Sequence, residues 1–329
     1  MKQILITGGA GFIGYHLGVK LSENKDNHVT VADNLQRGRF DKDFEELIAK
    51  ENVTFENVDL CDVNSMQSIS KYFDEVYHLA AFVGVKHCMK STEKVLYTNI
   101  QSTINMIDLV KKNRCKKLVF SSTCENYASG FSLGVVKVPT DETVPLSIAD
   151  VKNPRLSYAG SKIVGEQMVI FNAPGNYNYS IVRYHNVFGQ RMGYAHVVPE
   201  VVNRIFKKEN PFKVFGSDQT RAFCHVSDAV EQTIATMESD KIVDEIIHIG
   251  NSSEEIRISD LVKKIFSILD YKPELNEADA PEGSVNRRCP NTKKIESLSG
   301  LKPKKTLEEG LRLTVDWYWK EIQAGNVWE

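Results

Sequence analysis

A doubly wound parallel α/β sheet carrying a smaller mixed α/β lobe is the fold class predicted by three features of this 329-residue sequence. Short β-rich runs alternate with helix-patterned stretches through the first half. A glycine-rich turn follows the first of those runs directly. After "NYSIVRYHNVFG" the alternation breaks into helices mixed with isolated short strands and Pro, Gly and Asn turns.

The strand candidates are Gln3–Thr7, His28–Ala32, Val53–Val58, Glu75–Leu79 and Lys117–Ser121, with helix-compatible segments at Phe12–Ser22, Asn64–Tyr72 and Val95–Lys112 between them. These strands are too apolar to leave one side in water, so both faces of the sheet are expected to be covered. Beyond the break, helices are expected at Val197–Lys207, Ser227–Met237 and Ser259–Leu269, and strands at Lys213–Phe215 and Ile246–Ile249. Thr306 followed by Glu309 is a capping-box pattern opening a last amphipathic helix. Two units are expected, 1–180 and 181–329, with segments that interleave across the boundary.

A net charge of −2 and 42% hydrophobic residues give no electrostatic case for nucleic acid or a membrane surface. The six cysteines are scattered, without a C-x-x-C pair or metal-ligand spacing, so reduced thiols and no metal are expected. The opening "MKQILITGGAGFIG" lacks the apolar region and cleavage site of a secretory signal. No apolar run approaches the roughly 20 residues of a membrane span. A cytoplasmic protein is expected.

In the glycine-rich turn, Gly8 permits the tight bend, Gly11 lets backbone approach a pyrophosphate, and Gly14 allows close helix–sheet packing. The helix N-terminus that follows is a phosphate site. Asp33 ends the second strand about 20 residues on, as a Rossmann-type dinucleotide fingerprint requires. Its carboxylate accepts both adenosine ribose hydroxyls and repels a 2'-phosphate, which favours NAD. Arg37 and Arg39 follow closely and would soften that repulsion, which leaves NADP open as the alternative. Asp59, at the end of the third strand, is expected near the adenine.

Mid-chain, "NPRLSYAGSKIVGE" places Tyr158 and Lys162 one helical turn apart on one face. A phenol titrates near about 10, and a neighbouring ammonium lowers that value toward a useful general base. "LVFSSTCENYASG" ends a core strand in hydroxyls, a thiol and the Glu125 carboxylate.

With these motifs, "HLAA", "TNIQST", "RYHNVFG", "RAFCHVSDAV" and "NRRCPNTKKIESLSGLKPKKTLEEGL" in this order, the sequence resembles an extended short-chain dehydrogenase/reductase. The group it resembles is the NAD-dependent nucleotide-sugar epimerase/dehydratase family, over nearly the whole chain. The resemblance implies NAD contacts from Gly8, Gly11, Phe12, Ile13, Gly14, Asp33, Asn34, Asp59, Leu60, Leu79, Ala80, Ala81, Asn99, Tyr158 and Lys162. It makes Tyr158 the acid or base, tuned by Lys162, with Thr123 on the sugar's 4-hydroxyl. Asn186 contacts the substrate, His185 is a further substrate candidate, and Arg221 and Arg288 clamp the diphosphate. A nucleotide-diphosphate sugar is the implied substrate, and a homodimer through the Val95–Lys112 helix and the Tyr158 helix the implied assembly.

Departures from the family pattern are His185 where Phe is common, Gln190 for Pro, Ala222 for Asp and Asn291 for Asp. Thr123-Cys124-Glu125 resembles the Thr-x-Glu of nucleotide-sugar 4,6-dehydratases and of uronic-acid decarboxylases. Alternation along an extended segment would aim Thr123 and Glu125 the same way. Burial would raise the Glu125 pKa, suiting it to carry a proton from carbon 5 to the leaving 6-hydroxyl. The expected reaction is therefore 4,6-dehydration to a 4-keto-6-deoxy sugar. Its alternatives are 4-epimerisation or C4 oxidation, then uronate decarboxylation, for which "GQRMG" resembles a Gly-Pro-Arg-Met stretch. A non-catalytic NAD-binding regulator would show a broken Tyr/Lys/Thr set, which this sequence does not.

Overall fold

The computed structural model describes residues 1–281 and 283–326. Seven strands form the central sheet: β1 (Lys2–Thr7), β2 (Asn27–Asp33), β3 (Val53–Asn57), β4 (Glu75–His78), β5 (Lys117–Thr123), β6 (Asn178–Tyr184) and β7 (Glu245–Ile249). Their order is β3-β2-β1-β4-β5-β6-β7, and every pairing is parallel. Ile4, Leu5 and Ile6 are fully buried, which requires helices on both faces and explains the unbroken apolar run of β1. The last strand comes from beyond residue 181, so the chain returns to the first layer after the expected boundary.

Two local expectations change. The helix expected at Asn64–Tyr72 is a short 3₁₀ turn at Ser65–Ile69, in a segment whose Asn and Ser side chains compete for backbone bonds. Strand β5 runs two residues past Ser121, pairing Ser122 with Arg183 and Thr123 with Tyr184. Its hydroxyls are polar enough to suggest a turn, yet all of them are buried.

The second lobe packs the helices Val197–Phe206, Ile258–Ile268 and Leu307–Gln323 around Phe212, Phe266, Leu311 and Tyr318. The capping box forms as expected, with Thr306 and Glu309 each bonding the other's backbone. Phe12 packs against both this core and that of the sheet, joining the lobes just where the glycine turn ends. A three-stranded sheet sets Thr220–Ala222 between Glu255–Arg257 and Arg287–Arg288, with Arg288 directly opposite Arg221.

Candidate active site

Strand order reverses between β1 and β4, and the loops leaving their C-terminal ends diverge there, the place where such sheets bind ligands. A cavity of about 330 Å³ opens at that point. The turn after β1, the end of β2, the loop after β4 and the end of β5 line it. Gly8 has φ +72°, and a side chain on it would press within 2.8 Å of the Ala80 backbone nitrogen. A Cβ on Gly14 would stand 2.1 Å from the Gly8 carbonyl oxygen. These close approaches leave the backbone of the turn open to an extended phosphate group.

Asp33 is buried at the rim, where its Oδ2 accepts from the Ala10 N–H at 3.1 Å and its Oδ1 from Leu35 at 2.8 Å. Burial raises its pKa and those two bonds oppose the rise. Of the residues expected to hold the cofactor, Gly8, Gly11, Phe12, Ile13, Gly14, Asp33, Asn34, Leu60, Leu79, Ala80, Ala81 and Tyr158 line the cavity.

Asp59, Asn99 and Lys162 do not line it. The Asp59 carboxylate is turned to its own loop, accepting from the Cys61 N–H at 2.9 Å. Asn99 clamps both backbone groups of cavity-lining Phe82, at 2.7 and 3.1 Å, and donates to Ser161 Oγ at 3.0 Å. Lys162 lies beneath the floor, donating to the Ser121 carbonyl at 2.7 Å. Its burial drops the pKa to about 7, with Glu166 acting against the fall.

The helix Ser157–Asn172 carries Tyr158 and Lys162 one turn apart, as their spacing requires. The Tyr158 phenol does not titrate low as expected. Burial raises its pKa, the Glu125 carboxylate and the Cys124 thiol add to the rise, and Arg37 acts against it. Lys162 spends its ammonium on Ser121 rather than on the phenol.

Glu125 corrects a second expectation. Thr123 is extended, but Cys124–Tyr127 winds into a 3₁₀ turn, capped where the Glu125 N–H donates to Thr123 Oγ1 at 3.1 Å. Strand alternation therefore stops at Thr123. The Glu125 carboxylate meets Arg288 bidentately, at 2.5 and 2.8 Å. Burial pushes its pKa up, but Arg288, with Arg155 and Arg221 behind it, outweighs burial and holds it below the usual range. The raised value expected for a proton carrier is not found.

Among the expected substrate residues, Thr123 lines the cavity, while Arg221 and Arg288, side by side in the small sheet of the second lobe, do not. Arg221 donates to Gln219 Oε1 at 2.9 Å, and burial then Arg288 lower its pKa to about 10. Asn186 has φ +40° and donates to the Ala222 carbonyl at 3.1 Å. His185 is buried behind Arg288, its ring 4.5 Å from that of His248, and both of its ring nitrogens lack a hydrogen-bond partner.

Sequence reading missed Arg191 and His196 as cavity residues. They lie in the irregular passage after β6, which has no periodicity to place it over a cleft. It also missed Arg155, whose charge bears on Glu125.

Residues 4–250 match the sequence pattern described as the NAD dependent epimerase/dehydratase family. The chain belongs to that family. Its glycine turn and buried Asp33 fit the dinucleotide the family uses, and NAD is the cofactor. One family relative is the UDP-N-acetyl-alpha-D-glucosaminuronate decarboxylase of Bacillus cytotoxicus, 33% identical over 98% of this chain and 99% of its own. A putative UDP-glucose 4-epimerase of Methanocaldococcus jannaschii is 32% identical, over 96% of this chain and 98% of its own. Among solved members, a UDP-glucose 4-epimerase of Thermotoga maritima with UDP-glucose superposes with a TM-score of 0.84 at 31% identity. That superposition covers 97% of this chain and 99% of the epimerase.

Proposed function

We propose that this member of the family oxidises carbon 4 of a UDP-linked uronic acid and releases the carboxylate on carbon 5 as carbon dioxide. The observation that carries this reading is the bidentate Glu125–Arg288 pair beside Tyr158. Bound NAD supplies the acceptor for the electrons leaving carbon 4. The rise that burial imposes on the Tyr158 pKa would be countered by the positive charge of bound NAD. The Tyr158 phenolate then takes the proton of the 4-hydroxyl, and the Thr123 hydroxyl holds that oxygen in place.

A ketone at carbon 4 turns the substrate carboxylate into that of a β-keto acid. The bond between carbons 5 and 6 breaks, its electron pair passes into the ketone, and carbon dioxide departs. The enolate left behind takes a proton from water at carbon 5. Tyr158 then returns its proton to the 4-oxygen as the two electrons lost in the first step come back to carbon 4, giving the pentose. No leaving hydroxyl needs a proton, so Glu125 has no need to be protonated. The Arg288 guanidinium, its fork held by Glu125, supplies a fixed positive charge that attracts the substrate carboxylate. The near full-length likeness to a uronate decarboxylase supports the same reading.

4,6-Dehydration is the second reading, favoured by Glu125 lying close enough to raise the Tyr158 pKa. It asks Glu125 to deliver a proton, against the hold of Arg288. A homodimer belongs to this proposal, supported by exposed Tyr97, Val164 and Phe171 on the helices Thr92–Lys112 and Ser157–Asn172.

Purified protein incubated separately with UDP-glucuronic acid, UDP-glucose and dTDP-glucose separates the readings. Carbon dioxide and a pentose product from the uronate are expected. A 4-keto-6-deoxy product from a neutral hexose, or an epimer without loss of carbon dioxide, would overturn decarboxylation.

A further inference from the structure

Behind the Glu125 turn lies a buried polar network that the chemistry above does not use. Arg183 on β6 binds Glu166 of the Tyr158 helix twice, at 2.9 and 2.6 Å, with both side chains almost fully buried. Asn126 donates to the same Glu166 carboxylate at 3.0 Å, and Arg183 reaches the Tyr127 hydroxyl at 2.5 Å. Tyr127 pairs with His248 of β7 at 2.8 Å, and His248 faces the Asn291 carbonyl at 3.2 Å. Asn291 is three residues past Arg288. One network thus grips the turn bearing Glu125 at one end and the segment bearing Arg288 at the other.

We infer that Glu166, Arg183, Tyr127 and His248 are positioning residues that set the register of the Glu125–Arg288 pair across the two lobes. Glu125 and Arg288 sit on short irregular pieces, a 3₁₀ turn and a two-residue strand, which cannot hold a bidentate geometry by themselves. Rigid support from behind is what such a pair requires. The inference rests on the reading that the pair acts after carbon-4 oxidation, but its first test does not.

Tyr127→Phe removes only the hydroxyl shared by Arg183 and His248. Asn126→Ala cuts the separate tie between the turn and Glu166. Truncating the Glu166–Arg183 pair itself risks the fold, because either charge would be left buried alone.

Cys124, buried within the turn, reports its opening. Under native conditions iodoacetamide should label Cys124 about tenfold faster in both variants than in the unaltered chain, by local opening. Cys224, in the sheet core, should label at an unchanged rate. In turnover with UDP-glucuronic acid, kcat should fall about tenfold at an unchanged KM while the initial rise in reduced nicotinamide survives, as slight misplacement predicts.

Unchanged labelling of Cys124, or equal acceleration at Cys124 and Cys224, overturns the inference. If the unaltered protein releases no carbon dioxide, the decarboxylase reading fails, and the labelling still decides the positioning role.

Discussion

Glu125 and Arg288, 163 residues apart in the chain, form a bidentate ion pair that ties the mouth of β5 to a strand of the second lobe. The Glu125 side chain is 39% exposed and that of Arg288 only 11%. The guanidinium sets the charge of this corner and outweighs burial, holding the carboxylate's pKa below the usual range.

Replacing the carboxylate tests its part in the second half of turnover. Glu125→Gln should leave carbon-4 oxidation in place and lower carbon dioxide release by about tenfold, because the Arg288 guanidinium loses the carboxylate that fixes it. Reduced nicotinamide absorbance should then persist in the complex. Release of carbon dioxide at the original rate would remove Glu125 from the reaction.

Tyr158→Phe should silence every step, since this reading gives Tyr158 the 4-hydroxyl proton. A loss of about 10²–10⁴-fold is expected, with NAD affinity kept. Stopped-flow absorbance separates the outcomes: an undiminished rate of nicotinamide reduction would assign the proton to another residue.

The glycine turn permits a structural test. In Gly14→Ala the new methyl would meet the Gly8 carbonyl at 2.1 Å, which the helix can relieve only by moving away from β1. A cost of about 1–3 kcal/mol is expected for overpacking of this kind. Calorimetric titration should show NAD binding lost or strongly weakened, alongside a lower melting temperature. Normal binding would mean that the turn does not need its close approach.

Two fully buried histidines predict acid sensitivity. Burial, then the Lys162 charge, drops the pKa of His78 to about 3. Burial, then Arg183, does the same to His248, also to about 3, with the Asn291 carbonyl opposing. Between about pH 6.5 and that value the unfolded chain carries more protons than the folded one, so stability falls as pH falls. Each histidine contributes at most about 1.4 kcal/mol per pH unit within that window. Denaturant midpoints should drop between about pH 7 and about pH 5, and His248→Gln should flatten the slope. A midpoint independent of pH would contradict neutral buried imidazoles.

What the sequence determined by itself was local. Gly8, Gly11 and Gly14 lie within one strand–turn–helix passage, and their absent side chains write its geometry directly into the residue order. Tyr158 and Lys162 share a helix face because four positions make about one turn. Thr306 and Glu309, three residues apart, cap a helix between them. The signals for Asp33 and for the buried parallel strands are equally short in range.

Tertiary structure alone decided the electrostatics. Glu125 was expected to hold its proton because burial was legible in its strand, whereas its partner Arg288 comes from a far segment of the chain. The Lys162 ammonium was assigned to Tyr158 by spacing, and the fold gives it to Ser121 on a neighbouring strand. Asn99 reaches Phe82, not the cavity, for the same reason. A charge's energy depends on what stands within a few ångströms in space and how little water remains there, and neither is a property of neighbours in sequence.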